Sequence, residues 1–230
     1  LRILKLGMIE VLSLGGSLVC PEEIDVLFLK KFRNFILNWV KKGKRFVIFV
    51  GGGKTARKYQ KAGKEFKVKN EELDWIGISA TLLNAQLVKS TFGNLAFEKV
   101  LTDPREKIKT GKKIIVFGGW KPGRSTDYDS VLAAKNFEAK RVINLSDIDF
   151  IYDKNPKKFK DAKPLEKISF DELFKIIGKK WTPGANVPFD PEAAKLAQKE
   201  KIKVIFLNGK NFKNLEKVFL GKKFKGTIIE

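Results

Sequence analysis

No histidine occurs in the 230 residues, and Cys20 is the single cysteine. Without histidine there is no Ser–His or Cys–His nucleophile pair and no His-ligated metal site. One cysteine excludes an internal disulfide and a Cys-based metal cluster, and makes a reducing cytoplasm the expected setting. Long apolar runs are missing too. The longest stretches, such as Phe46-Val47-Ile48-Phe49-Val50, are strand-length, far short of the roughly 18 residues that a membrane span requires. Leu1 to Leu6 is short and mixed, and Glu10 interrupts the apolar run that follows, so no signal peptide is expected. Neither the P-loop pattern Gly-x-x-x-x-Gly-Lys-Ser/Thr nor the dinucleotide fingerprint Gly-x-Gly-x-x-Gly is present. Chemistry is left to backbone amides, lysines, arginines, hydroxyls and carboxylates. Phosphoryl transfer suits that set, since it depends mainly on positioning and charge stabilisation.

What the chain does have is positive charge: 47 Lys and Arg against 26 Asp and Glu, net +21. Such a balance attracts polyanions, from nucleic acid to phosphorylated metabolites. The lysines are scattered along the whole chain rather than blocked, however, and read as a solvated surface. Nucleic acid is therefore not an expected partner. The length and the 43% hydrophobic fraction allow one α/β domain with two lobes around a shared core.

Short β-rich runs alternate with longer helical ones. Ile9 to Leu14 reads as a strand ending in Gly15-Gly16-Ser17. The spacing of Leu29, Phe32, Phe35, Ile36, Trp39 and Val40 predicts a helix from about Glu22 to Lys42, closed by Gly43. Arg45 to Val50 is a buried strand running into Gly51-Gly52-Gly53. Helices are predicted from Lys54 to about Phe66 and from Glu71 to about Thr91. Lys113 to Phe117 is a strand before Gly118-Gly119, Asp127 to about Phe137 is helical, and Arg141 to Leu145 is a strand. Ser169 with Glu172 forms a capping box for a short helix that Gly178 closes. Asp190-Pro191 starts another helix, with Asp190 as N-cap. Lys203 to Leu207 is a strand, and Thr227 to Ile229 a last edge strand. Strands apolar on both faces and alternating with helices indicate a three-layer α/β/α sandwich with a mostly parallel central sheet.

Three strand ends carry glycine runs: Gly15-Gly16, Gly51-Gly52-Gly53 and Gly118-Gly119. Ligands of open α/β sheets bind beyond the carboxyl ends of the strands. Glycine lets backbone N–H groups approach a phosphate, and the next helix presents its positive end. One such pair could be turn geometry alone; three at equivalent positions point to a phosphate-rich ligand. Lys54 and Arg57 begin the helix after the triple glycine, and the loop Trp120 to Thr126 packs Lys121, Arg124, Ser125 and Thr126 around Pro122 and Gly123.

Six motifs, in this order and spacing, resemble the amino acid kinase family, and within it the UMP kinases of archaeal type. They are Ser13-Leu-Gly-Gly-Ser17, Gly51-Gly-Gly-Lys-Thr-Ala-Arg-Lys58, Asp74-Trp-Ile-Gly77, Gly118-Gly-Trp-Lys-Pro-Gly-Arg-Ser-Thr-Asp127, Ser146-Asp-Ile-Asp-Phe-Ile-Tyr-Asp-Lys-Asn-Pro-Lys157 and Asp190-Pro-Glu-Ala-Ala194. The resemblance implies an amino acid kinase fold over residues 1–230, with a UMP-binding lobe to about 140 and an ATP-binding lobe beyond. It implies that Gly15, Gly16 and Ser17 line the ATP phosphates. Gly53 and Arg57 serve the ATP side, with Ser146, Tyr152 and Asn155 contacting ATP. Gly52 contacts the UMP phosphate, Asp74 holds the ribose, and Trp120, Lys121, Pro122, Gly123, Arg124, Ser125 and Thr126 wrap the UMP. Arg57, Lys54, Gly16 and Gly53 then form the transfer point, where Mg²⁺ travels with ATP and no protein metal ligand is assigned. Asp147 or Asp149 could organise that ion, or could equally be turn-capping acids. A cytoplasmic homohexamer, a trimer of dimers, completes what the family implies. Trp39 and Phe28, if both faced outward, would give the helix from Glu22 to Lys42 more exposed aromatics than a monomer needs.

Three positions depart from the family. Ser13 stands where lysine is usual, two residues before the double glycine. Phe150 replaces a glycine in Ile148-Asp149-Phe150-Ile151-Tyr152, and Asn155 replaces the aspartate of an Asp-Pro pair. Isopentenyl phosphate kinase, also phosphate-to-diphosphate, is disfavoured by the absent histidine. A non-catalytic nucleotide- or RNA-binding protein on the same fold would need a basic, aromatic-bearing face outside the cleft.

Overall fold

Alternate residues of the central strands bury their side chains in opposite layers, as a period of two requires of a sheet covered on both faces. The computed structural model describes residues 9–106, 108–156, 158–179 and 187–230. Leu1 to Leu6 and Lys157, used in the reading above, lie outside them. The elements in chain order are β1 (Ile9–Leu14), α1 (Gly16–Val19), α2 (Val26–Lys41), β2 (Arg45–Val50), α3 (Gly53–Glu65), α4 (Asn70–Thr91), β3 (Ile114–Phe117), α5 (Thr126–Asn136), β4 (Arg141–Ser146) and β5 (Ile151–Tyr152). They continue with β6 (Pro164–Leu165), β7 (Lys167–Ile168), α6 (Phe170–Ile177), α7 (Pro191–Glu200), β8 (Lys203–Asn208), α8 (Phe212–Phe219) and β9 (Thr227–Ile229). None of the described helices is long and apolar enough to cross a membrane.

One layer sets Leu12, Leu14, Ile48, Val50, Val116 and Leu145 against Phe32, Ile36 and Trp39 of α2, Val88 of α4 and Leu215 of α8. The other sets Val11, Val47, Phe49, Phe117 and Phe206 against Val131 of α5, Leu173 of α6 and Ala194 of α7. The three-layer sandwich predicted from the strand pattern is thus the observed fold. Trp39 and Phe28 are both buried in the first layer, so neither contributes an exposed aromatic. Phe150 is buried as well, so the residue standing where a glycine is usual is absorbed by packing.

The seven-stranded sheet runs β3-β2-β1-β4-β8-β9-β7. All its pairs are parallel except β8 with β9. Thr227–Ile229 is therefore not the edge strand: β7 lies outside it, too short to carry a periodic signal. The predicted helix start at Glu22 is also corrected. Helix α2 begins at Val26 because the Asp25 carboxylate accepts the Phe28 N–H at 2.8 Å, acting as N-cap. The other caps are as predicted. Ser169 and Glu172 form a reciprocal capping box, and Asp190 caps α7 with Pro191 in the first turn.

The chain goes out from β1 to β2 and β3, then returns to place β4 on the other side of β1. The order reverses between β1 and β4, and it is there that open sheets of this kind leave a crevice.

Candidate active site

The first two glycine runs touch. A Cβ on Gly16 would lie 2.0 Å from the Gly53 amide nitrogen, and one on Gly53 would lie 2.3 Å from the Gly16 carbonyl oxygen. Gly53 also holds φ +62, a region where a side chain is strained. The turns after β1 and β2 can close on one another only as bare backbone. Several of their amides are already engaged: Gly15 N–H by Leu145 O, Gly51 N–H by Leu14 O, Gly118 N–H by Leu101 O. Gly16, Gly52 and Gly53 keep N–H groups with no acceptor among the described residues, at the N-terminal ends of α1 and α3. The predicted cradle thus narrows to three amides, and Gly15 offers none.

Helix α4 fixes the third run against the second. The Thr81 hydroxyl donates to Ile78 O at 2.6 Å and accepts the Gly119 N–H at 2.7 Å. The Asn84 amide donates to Gly51 O at 2.9 Å and to Gly52 O at 3.1 Å. These contacts frame a cleft of about 340 Å³ lined by Gly52, Asp74, Thr81, Arg124, Ser125 and Thr126, together with Asp127 and Asp190. Ile177, Val187 and Pro191 supply an apolar end.

The predicted UMP-side residues therefore divide. Gly52, Asp74, Arg124, Ser125 and Thr126 come together in the cleft, and the Asp74 carboxylate accepts the Gly123 N–H at 2.9 Å. Trp120, Lys121 and Pro122 do not line it. The Trp120 ring is flanked by Arg105, at 4.6 Å, and Lys121, at 4.1 Å. This cation–π stack shapes the outside of the loop rather than its inner wall. Ser125 caps α5 by accepting the Tyr128 N–H, and its hydroxyl donates to Asp190. One serine thus ties the loop to α7.

Of the residues expected on the ATP side, Ser17 is half-buried beside Gly16 in α1. Lys54 and Arg57 project from the first turns of α3. Lys54 Nζ is held by Glu22 at 2.7 Å, and Arg57 is exposed. Lys54 heads the interactions that hold the Glu22 carboxyl below its usual value. Ser146 ends β4, Tyr152 lies half-buried on the small β5–β6 ladder, and Asn155 is exposed beyond it. None of the three lines the cleft. Asp149 is paired with Lys225 at 2.6 Å, while Asp147 accepts from Ser146 at 3.3 Å. Among the described residues no group of three or more acidic, histidine or cysteine side chains could hold a metal.

Sequence reading did not single out the buried polar floor. Ser13 and Asn144 are 3% and 6% exposed, at strand positions whose alternate neighbours face the α5 layer. Both donate to Asp127 Oδ1, at 2.8 and 2.7 Å. Burial first, with Asp190 adding like charge, pushes the Asp127 carboxyl up to about 7, against the lowering effect of those donors. Burial likewise pushes Asp129 up to about 8, although the Trp120 N–H donates to its Oδ2 at 3.1 Å. Asp190 is raised for the same first reason. The available signal was polarity at strand positions where the pattern calls for apolar side chains.

Comparison with known proteins bears on this arrangement. The model of the amino acid kinase family matches residues 8–208. Uridylate kinase of Sulfurisphaera tokodaii is 36% identical, over 96% of this chain and 98% of its own. Uridylate kinase of Thermococcus kodakarensis is 34% identical over the same shares. The crystal structure of uridylate kinase from Archaeoglobus fulgidus superposes with a TM-score of 0.82 at 33% identity, covering 97% of this chain and all of that one.

Proposed function

The chain belongs to the amino acid kinase family, and we infer that it is a UMP kinase, transferring the γ-phosphoryl group of ATP to UMP to give UDP and ADP. The observation that carries this reading is the contact of the Gly16 and Gly53 backbones beside a cleft walled by Asp74 and Arg124 to Thr126. A phosphorylated acceptor fits the cleft, and its phosphate lies against the Gly52 amide. The ATP phosphates lie on the Gly16 side of the same contact, beside Ser17.

Transfer is in line: the bond from the γ-phosphorus to the β,γ-bridging oxygen breaks while a UMP phosphate oxygen forms its bond to that phosphorus. The acceptor is substantially dianionic near neutral pH, its second pKa being about 6, and needs no general base. The protein's contribution is alignment and charge stabilisation. Arg57 is exposed at the transfer point, and Lys54 joins it by leaving Glu22. Magnesium bound to ATP would offset phosphate charge at the transfer point, beside Arg57 and Lys54. Ser146, Tyr152 and Asn155 hold the adenosine end on the open surface beyond β4. The N-terminal lobe, to about residue 140, carries UMP and the remainder carries ATP. Such a reaction belongs in pyrimidine nucleotide synthesis and in the cytoplasm, where both substrates are made.

The working assembly is a homohexamer built from dimers. Helix α4 supports the dimer step. Trp75, Ser79, Leu83 and Leu87 form an exposed stripe at four-residue spacing. Two copies of α4 laid antiparallel set Trp75 opposite Leu87 and Ser79 opposite Leu83, and bring Glu71 and Glu72 near Lys89. That is a self-complementary pairing of the kind a two-fold axis generates. Light scattering tests it, and a monomer at micromolar concentration rejects it.

A basic, aromatic hollow does exist between α2 and α8, lined by Lys41, Lys42, Lys213, Phe35, Trp39 and Phe212. Trp39 is buried there beneath Lys42 and offers no face for base stacking, so the nucleic-acid reading gains nothing from it. A coupled ADP-release assay across nucleoside monophosphates and isopentenyl phosphate decides the substrate. Preference for UMP is expected, and a clear preference for CMP or isopentenyl phosphate overturns the assignment.

A further inference from the structure

Position 13 supplies no cation. Ser13 instead donates its hydroxyl to Asp127 Oδ1, as does the Asn144 amide, from the facing tips of β1 and β4. Two donors on one oxygen mark Oδ1 as the accepting atom, so the proton of a neutral carboxyl belongs on Oδ2. Asp127 also lines the cleft in which a phosphate would stand. We propose that Asp127 works as a neutral carboxylic acid, donating a hydrogen bond from Oδ2 to a phosphate oxygen at the transfer point in place of the missing cation. The proposal rests on the kinase reading above. Asp127 keeps its proton throughout; the phosphoryl group passes between nucleotide oxygens, and the carboxyl only stabilises charge on the group in flight.

Burial and the like charge of Asp190 favour the neutral form, against the Ser13 hydroxyl, the Asp190 backbone N–H and the Asn144 amide, which favour the anion. The tips of β1, β2 and β4 bring Ser13, the glycine backbone and Asn144, none of them charged; Glu10 and Arg141, at the far ends of β1 and β4, pair with each other. Helix α7 brings Asp190 and Glu192, both acidic, and α5 itself carries Asp129. Arg124 lines the same cleft, yet the strongest influences on the Asp127 carboxyl include no cation. Its carboxyl already titrates near 7 in the ligand-free protein, and a bound phosphate dianion moves it further up, because like charge disfavours ionisation.

The test compares kcat across pH for Asp127→Asn, Asp127→Ala and Ser13→Lys, with circular dichroism to confirm folding and ATP affinity to confirm the donor side. An asparagine amide can still accept on one atom and donate from the other. Asp127→Asn is therefore expected to lower kcat far less than Asp127→Ala, for which loss of one donor costs about 100- to 1,000-fold. The wild-type alkaline limb should vanish in Asp127→Asn. It should vanish also in Ser13→Lys, where an ammonium stabilises the aspartate anion and does the stabilising itself. Equal loss in folded Asp127→Asn and Asp127→Ala shows that the anion is what matters and overturns the proposal. A readout independent of turnover separates this from failure of the kinase reading. Infrared difference spectra on adding UMP should contain a protonated-carboxyl band that Asp127→Asn abolishes; its absence in wild type rejects the neutral acid whatever the enzyme phosphorylates.

Discussion

The Asp74 carboxylate on α4 accepts the backbone N–H of Gly123 at 2.9 Å, across 49 residues of sequence. One oxygen thus holds the loop that walls the cleft, and the kinase proposal assigns the other to the acceptor's sugar. Asp74→Asn can preserve at most one of these functions. It should raise the KM for UMP by tenfold or more, at a cost of about 1.5–3 kcal/mol for a hydrogen bond to a charged group, and leave the KM for ATP nearly unchanged. Steady-state kinetics with each substrate varied in turn checks this, and equal rises in both constants would contradict it.

Asp129 is buried in the first turn of α5, with Oδ2 accepting from Trp120 N–H and Oδ1 without a hydrogen-bond partner among the described residues. Burial keeps it protonated near neutrality. Asp129→Asn should therefore fold with stability within about 1 kcal/mol of wild type, while Asp129→Leu, which strands the Trp120 N–H, should lose about 1–3 kcal/mol. Urea unfolding measures both. A larger loss for the asparagine variant would mean that the ionised form supports the loop.

Gly16→Ala places a methyl group 2.0 Å from the Gly53 nitrogen, which forces the two strand tips apart. Gly43→Ala, at a helix end with φ +91 and open space around it, makes a control with backbone strain but no clash. Gly16→Ala should lose kcat by about 100-fold or more, as a misplaced transfer geometry implies. Gly43→Ala should lose about 1 kcal/mol of stability with little change in kcat.

Asp127, Asp129 and Asp190 all bind protons more tightly folded than unfolded, where the usual value is 3.8. From about pH 4 to pH 8 the native state consequently carries more protons than the unfolded chain, and stability falls as pH rises through that window. Glu230 acts at the acid end in the opposite sense. Lys167 and Lys203 hold it at about 2, so its contribution is present above its ordinary value of 4.5 and lost as pH falls toward 2. The ligand-free protein should show a higher Tm near pH 5 than near pH 8, with a shallower slope in the Asp127→Asn, Asp129→Asn double variant. A Tm that rises over that interval contradicts the assignment.

The sequence alone was enough for the layered sheet, the caps at Ser169 and Asp190 and the three glycine-tipped strands. Each of these depends on local rules: apolar period, short polar capping side chains, and the need for bare backbone at a tight turn. Asp74, Gly52 and Arg124 to Thr126 were legible through their motifs, and the structure brings them into one cleft. Two kinds of information were absent from the local pattern. The small β5–β6 ladder and edge strand β7 have two residues in each strand, too few to show a period. The Ser13–Asp127–Asn144 floor joins residues separated by as many as 114 positions. Its meaning depends on β1 and β4 lying side by side, on burial raising a carboxyl, and on no lysine being there to lower it. Proton affinity is set by what surrounds a group in space, and that only the tertiary structure decided.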